Sequence, residues 1–247
     1  MSPKASFDEQ YRLYSPQSYV QFFLKDLDYR LPFEAMTLLG NYLENLGNDE
    51  VLETAIIGSC HGIDSAVLKY RYTYDDILKY WLYNNPEHHV FQGGDPHYQI
   101  TMVDINEEPL RFAKDVGLCH NYYRCNMKEA LPEELRSYLE QNVDLLISVG
   151  IVTYLGLQNF HKLVRLVERS NVKYFCFSLP SFIRSSYMKI FESSGLKVKI
   201  LGDINQRQYK DEGERRRVIE ALKEQGSYST RDDAILVASI CIAYKMS

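Results

Sequence analysis

The feature that most constrains this chain is a repeated alternation of short apolar runs with segments of helical spacing. Residues 54–58 form one such run and end in glycine. Six more follow, at 99–104, 121–125, 143–149, 172–178, 196–201 and 234–244. Helical patterns fill the gaps at 64–83, 109–116, 132–140, 157–168, 180–193 and 212–225. Strands that alternate with helices need crossover connections and form a mainly parallel sheet. The runs are apolar on both faces, as a sheet covered by helices on both sides requires. The expected class is therefore α/β with seven strands.

The first fifty residues contain no such run. Ser15-Pro16 opens a helix, with Pro16 tolerated in its first turn, and Tyr19, Phe22, Phe23 and Leu27 recur at helical spacing. Pro32 opens a second helix, which Gly47 ends. The expected organisation is an N-terminal helical lid over 1–50 and a single α/β domain over 51–247. The polar segment 205–232, with Arg215-Arg216-Arg217, is inserted before the last strand. That segment reads first as a solvated helix. A chain of 247 residues can bury one full core without a second domain.

A net charge of −5 argues against broad binding of nucleic acid or an anionic membrane. No run reaches the roughly 20 apolar residues of a membrane span. Met1 to Asp8 lack the apolar stretch of a secretory leader. The five cysteines, Cys60, Cys119, Cys125, Cys176 and Cys241, are odd in number and form no CxxC pair. Reduced thiols in the cytoplasm are the expectation. His88-His89 and His97 do not suggest a metal site, because adjacent side chains point apart and no cysteine or carboxylate cluster completes a ligand set.

In open parallel sheets, ligands bind beyond the carboxyl ends of the strands. The first strand ends in Gly58-Ser59-Cys60-His61-Gly62. Glycines at both ends allow a sharp turn and a close backbone approach, either to a ligand or simply into a tight strand–helix corner. The second strand ends in Asp104, which suits the two hydroxyls of a ribose or, alternatively, a helix N-cap. Asn126 and Met127 follow the third strand. Asp144 opens the fourth, away from the site, and has a structural role. Val149 to Tyr154 leave the fourth strand where a substrate would sit.

These segments together resemble the class I S-adenosylmethionine-dependent methyltransferases, over nearly the whole chain from about Glu53 to Lys245. Ile100-Thr101-Met102-Val103-Asp104-Ile105-Asn106-Glu107-Glu108-Pro109 is similar to the family's second motif, with Asp104 in the ribose position. Gly58 to Gly62 is similar to its first motif, around the methionine part of the cofactor. Cys125-Asn126-Met127 falls where the family flanks the adenine. The resemblance implies a Rossmann-like, mostly parallel seven-stranded sheet with an antiparallel last strand. It also implies S-adenosyl-L-methionine as cofactor. Gly58, Ser59, Cys60, His61, Gly62, Asp104, Ile105, Asn126, Met127 and Val149 would hold it. A fainter similarity to chemoreceptor-glutamate methyltransferases lies in residues 58–65 and 150–155. The sequence departs from the family at Ile56 and Asn126, where acids are usual, and at Cys60, where a glycine is usual. Roughly twice the usual number of residues separates Gly62 from Asp104.

Methyl transfer needs alignment more than it needs a base. Tyr154 is the candidate catalytic and substrate contact, and His161 a candidate base that reads first as a helix-surface or packed histidine. His61 either meets the cofactor carboxylate or faces water. Tyr14 and Tyr11, with Tyr19, are candidates for a lid that binds substrate through ring faces. The expected activity is a small-molecule methyltransferase acting at N or O. A protein or peptide methyltransferase and a non-catalytic protein of the same fold are the alternatives. A dinucleotide oxidoreductase fits poorly, because 58–62 lacks GxGxxG spacing. The partner expected is the small-molecule substrate, and the sequence leaves the oligomeric state open.

Overall fold

A computed structural model describes residues 11–47 and 50–245. Residues 1–8 of the sequence reading, and the ends of both expected domain ranges, lie outside the described residues. Seven strands form one sheet: β1 (Leu52–Ile57), β2 (Tyr98–Asp104), β3 (Asn121–Arg124), β4 (Leu145–Ser148), β5 (Tyr174–Pro180), β6 (Leu196–Arg207) and β7 (Leu236–Lys245). Their order is β3-β2-β1-β4-β5-β7-β6. The first five strands pair in parallel, and β7 runs antiparallel to both β5 and β6. The expected topology, with its antiparallel last strand, is the one found.

Alternate residues of each central strand feed two separate cores. Ile56, Ile100, Met102, Ile147, Ile240 and Ile242 pack on one side. That side carries α2 (Leu31–Asn45), α3 (Ile63–Tyr70) and α5 (Glu107–Asp115). Ala55, Ile57, Val103, Leu146, Phe175, Phe177 and Cys241 pack on the other. There they meet α6 (Glu133–Gln141), α7 (Val152–Arg169) and α8 (Ser181–Glu192). This is why the strands read as continuous apolar runs: both faces of the pleat are buried. Among the described residues, no helix is long and apolar enough to cross a membrane.

Four boundaries differ from the sequence reading, each for a local reason. The single helix expected over 64–83 is two. Arg71 adopts a left-handed φ of 59° and closes α3, with its own N–H on Val67 O and the N–H of Tyr72 on Ala66 O. Thr73 and Asp76 then form a reciprocal capping box that starts α4 (Tyr74–Ile77), which continues as the π-helical turn Leu78–Leu82. α7 begins before Gly156 rather than after it, because Gly156 (φ 73°, ψ 164°) kinks a short first turn into the main helix. β6 runs six residues beyond 201, as a bulged, half-exposed edge strand whose polar alternation hides it from an apolar-run search. The polar segment 205–232 therefore divides: its first residues extend β6, and Glu212–Glu224 form α9.

The N-terminal segment is fastened to the carboxyl edge of the sheet. After α1 (Gln17–Tyr19) and the π-helical Val20–Asp26, the chain pairs with the end of β6. Gln208 N–H donates to Leu27 O at 2.7 Å, and Arg30 N–H to Gln206 O at 2.9 Å. Arg207 and Glu214 close beneath this junction as a buried bidentate ion pair, at 2.6 and 2.9 Å.

Candidate functional site

The ends of β1, β2, β3 and β4 and the N-terminal segment enclose a cavity of about 380 Å³. Its base is the turn between β1 and α3. Gly58, Cys60 and Gly62 all have left-handed φ, at 73°, 46° and 84°. Gly58 N–H donates to Val103 O at 2.7 Å and Gly62 N–H to Ser59 O at 2.8 Å, which closes the turn. Gly58 has no room for a side chain, since a Cβ there would sit 2.5 Å from Ile151 Cδ1. Gly62 is equally tight, but against the core: its Cβ would meet Met102 Cε at 2.6 Å.

The turn is bonded directly to the end of β2. Cys60 N–H donates to Asp104 Oδ2 at 2.9 Å, and Asn106 N–H donates to Oδ1 at 2.9 Å. A longer contact, 3.4 Å, comes from Asn106 Nδ2. The Asp104 carboxyl is thus a bridge between two strand ends. Burial pushes its pKa up, and the surrounding N–H donors partly offset that. The carboxyl lies on the cavity wall, where it can also accept from a hydroxyl donor.

His61 neither faces water nor enters the cavity with a charge. Its Nε2 lies 2.8 Å from Leu13 O. A carbonyl only accepts, so the proton sits on Nε2 and Nδ1 accepts from the Cys60 thiol, 3.1 Å away. Tyr19 and Phe112 hold the ring from two sides. Burial lowers its pKa to about 4, so the imidazole is neutral at pH 7.

Twelve of the sequence candidates stand on the cavity wall: Gly58, Ser59, Cys60, His61, Asp104, Ile105, Asn126, Met127, Val149, Tyr11, Tyr19 and Tyr154. Ile105, half exposed beside Asp104, presents an apolar side chain at the rim. Asn126 uses its side chain on its own loop, accepting from Lys128 N–H at 3.1 Å and donating to Glu129 at 2.7 Å. Tyr154 comes from the first turn of α7, and its ring meets Tyr11 edge-on at 6.4 Å.

Three candidates stand elsewhere. Gly62 supports the turn from the core side. His161 lies on the exposed face of α7, where Arg165 Nε approaches it at 3.3 Å. Tyr14 points away from the cavity, donating its hydroxyl to Asp115 at 2.9 Å under the Arg111 guanidinium. It fastens the N-terminal segment to α5. His89 and His97 are engaged with Tyr72 and Asp95, and among the described residues no cluster of His, Cys, Asp or Glu is arranged to hold a metal.

Gly150 and Ile151, within the 149–154 segment expected to face a substrate, also line the cavity, and sequence reasoning missed Arg12, Tyr29 and Asp64. Tyr29 sits over Gly150, where a Cβ would come 2.8 Å from its hydroxyl. Asp64, two residues into α3 territory after Gly62, is buried and its Oδ1 has no partner among the described residues. Burial raises its pKa to about 7. The signal available for Gly150 was the glycine ending β4, the same mark that singled out Gly58.

No protein-family model and no curated protein sequence matches the chain. Solved structures do. Magnesium protoporphyrin IX methyltransferase from Synechocystis, solved with bound SAM, is 12% identical; the match covers 92% of this chain and 84% of that one, with a TM-score of 0.51. A TehB-like SAM-dependent methyltransferase from Corynebacterium glutamicum is 10% identical over 84% of this chain and 87% of that one, with a TM-score of 0.46. At such identities the likeness is one of fold.

Proposed function

Proceeding from the fold of the class I S-adenosylmethionine-dependent methyltransferases, we propose that this chain is itself such an enzyme, acting on a small molecule at nitrogen or oxygen. The observation that carries the reading is the 2.9 Å bond from Cys60 N–H to Asp104 on the wall of an open cavity. It joins the glycine turn to the one carboxylate placed for a ribose. The Synechocystis protein of like fold was solved with SAM.

The residues present fit the cofactor. Asp104 stands at the edge of the cavity as a carboxylate acceptor that would take the ribose hydroxyls. Ile105, Cys125 and Met127 give an apolar slot for a flat heterocycle, with the polarizable Met127 sulfur suited to a ring edge. Gly58, Ser59 and Cys60 bring the backbone of the turn to the cavity wall, along which an extended tail would run. The cavity volume falls within the range of roughly 300–1,000 Å³ usual for small-molecule sites.

When bound, the cofactor supplies a methyl group already activated on a sulfonium. The protein's task is then to hold a nucleophile in line and to exclude water. Val149, Gly150, Ile151 and Tyr154 form the wall beyond β4, where the acceptor would enter. Tyr11, Tyr19 and Tyr29 close the cavity from the N-terminal segment, which acts as the lid. Their burial pushes all three phenols above their ordinary range, so they remain neutral donors. Tyr154 is the residue placed to contact the acceptor; the position of His161 gives it no part. The enclosure by tyrosines favours a small acceptor over a polypeptide. The five free, buried cysteines suit the cytoplasm.

A thermal-shift comparison tests the reading. S-adenosylhomocysteine at 100 times its Kd should stabilise the protein by about 2.7 kcal/mol, and nicotinamide dinucleotides should not stabilise it at all. No shift with S-adenosylhomocysteine would leave a fold without the activity.

A further inference from the structure

The chain takes a long route from α3 to β2, and that route has two sides. Its inner side is fixed to the domain. Trp81 is fully buried, perpendicular to Phe112 of α5 at 5.4 Å, and Phe91 N–H donates to Val116 O at 2.8 Å. Its outer side holds the N-terminal segment. Tyr74 donates its hydroxyl to Leu24 O. The Arg30 guanidinium lies 3.5 Å from the centre of the Tyr74 ring, and Phe33 meets that ring at 5.3 Å. Lys25 Nζ stands 5.5 Å from the Tyr83 ring, and Gln17 Nε2 donates to Asn84 O at 3.3 Å.

Tyr74 lies outside the cavity, yet it fixes part of its wall. The last carbonyls of a helix lack an intrahelical donor. Tyr29 N–H takes Phe23 O at 2.9 Å, across the left-handed Asp28, and the Tyr74 hydroxyl takes Leu24 O. Tyr74 therefore caps a helix that has one cavity tyrosine before it, Tyr19, and another after it, Tyr29. Both surfaces at this joint are π-helical, Val20–Asp26 on one side and Leu78–Leu82 on the other. Such turns are rare and recur at functional sites. The joint is half-buried, and its hydroxyl bond and cation–ring contacts are each of modest strength. Strand ends, and helices packed on the sheet, make the rest of the cavity wall, so the N-terminal segment is the part that can withdraw when a ligand enters or leaves.

We propose that Tyr74 is a positioning residue: through it the α3–β2 segment latches the N-terminal segment over the cavity, and release of this latch sets the rate at which the cavity exchanges its ligand. The identity of that ligand rests on the cofactor assigned under Proposed function. A latch that touches no ligand acts alike on the empty and the loaded protein. Loosening it raises the open fraction of both, so entry and exit quicken by one factor while affinity holds. A side chain that contacts the ligand would change the affinity instead.

The test is stopped-flow binding of S-adenosylhomocysteine to the full chain, together with hydrogen exchange of the ligand-free protein read by mass spectrometry. Tyr74→Phe should raise the association and dissociation rates together by about fivefold, the worth of one hydrogen bond, and leave Kd within about twofold. Exchange over residues 20–29 should quicken by a similar factor, with β4 and β5 unchanged. Tyr83→Ala, at an exposed position, loosens the same joint through Lys25 and should move both readouts the same way by about twofold, whether or not the first variant folds. Tyr72→Phe removes a hydroxyl of the same segment that bonds His89 at 2.6 Å instead, and should change neither readout. Unchanged rates and exchange, a raised Kd at constant association rate, or an equal effect of Tyr72→Phe would overturn the latch while the methyltransferase reading stands. If S-adenosylhomocysteine does not bind the wild type, the cofactor reading fails, and the exchange comparison alone decides the latch.

Discussion

Replacing Asp64 with Asn should change how the stability of the ligand-free protein depends on pH, and the sign can be worked out from two buried groups. Asp64 ionises near 3.8 in an open chain and near 7 in the fold. Its folded-state pKa is raised, so its favourable contribution is complete below pH 3.8 and is lost as pH rises to 7. His61 ionises near 6.5 in an open chain and near 4 in the fold. Its pKa is depressed, so folding is opposed as pH falls below 6.5. Between pH 4 and 6.5 the folded chain keeps a proton on Asp64 that the unfolded chain loses, and it excludes from His61 a proton that the unfolded chain binds. The two slopes cancel. Each alone is worth about 1.4 kcal/mol per pH unit. Asp64→Asn leaves the His61 slope uncompensated. From pH 4 to 6.5 the variant should therefore gain about 3 kcal/mol relative to the wild type, or roughly 6–12 °C in Tm for a domain of this size. His61→Gln should do the opposite, losing stability as pH rises. Other carboxylates contribute equally to both proteins and vanish from the difference. The assay is urea denaturation of wild type and variant at half-unit steps from pH 4 to 7, without ligand. A difference independent of pH would mean that the Asp64 carboxyl reaches water in the fold, and the argument from burial would fail.

Asp104→Asn keeps one acceptor oxygen for two backbone donors, so either Cys60 N–H or Asn106 N–H loses its partner; stability should fall by about 1–3 kcal/mol, measured by denaturation. The same variant should bind S-adenosylhomocysteine with an affinity reduced by about 1–3 kcal/mol, and a folded variant of unchanged affinity would remove Asp104 from the site. Gly58→Ala forces a left-handed φ of 73° on a residue whose Cβ would lie 2.5 Å from Ile151 Cδ1, and should cost about 2–4 kcal/mol of stability in thermal or chemical unfolding. Wild-type stability there would show that the turn relaxes. Tyr154→Phe should lower turnover about tenfold or more and leave cofactor affinity unchanged, once an acceptor is in hand. Equal losses in kcat and cofactor affinity would move Tyr154 into the cofactor pocket.

Much of the fold was legible because burial on both faces forces apolar strands, and glycine marks where β1 and β4 turn. Asp104 was legible for the same reason: it ends an apolar run one crossover after a glycine turn. Elements set by polar logic were harder to see. The break at Arg71 leaves no apolar trace, although Thr73 and Asp76 spell a capping box. The far half of β6 alternates because it is an edge. Asp64 was invisible as a site residue because an acid in the first turn of a helix is ordinarily explained by the helix dipole. Only the fold of the N-terminal tyrosines over it makes that acid buried. Tyr14 and His161 are the converse: their residue type suggested chemistry, and their neighbours give them to Asp115 and Arg165.

Cys60 shows how a non-glycine residue is absorbed in a left-handed turn. The turn needs left-handed backbone at 58, 60 and 62, and the sequence supplies glycine at only two of them. A non-glycine residue in that region costs roughly 1–2 kcal/mol. Two interactions offset it. The backbone N–H that this conformation exposes is the one that bonds Asp104, and the thiol that replaces a hydrogen atom finds the free nitrogen of His61. His61 can accept only because Leu13 takes its proton on the other side. The substitution of glycine therefore ties the turn to the N-terminal segment through one imidazole. A glycine at 60 would relieve the backbone and remove the thiol side of that connection, so the residue that strains the turn also couples the N-terminal segment to the floor of the cavity.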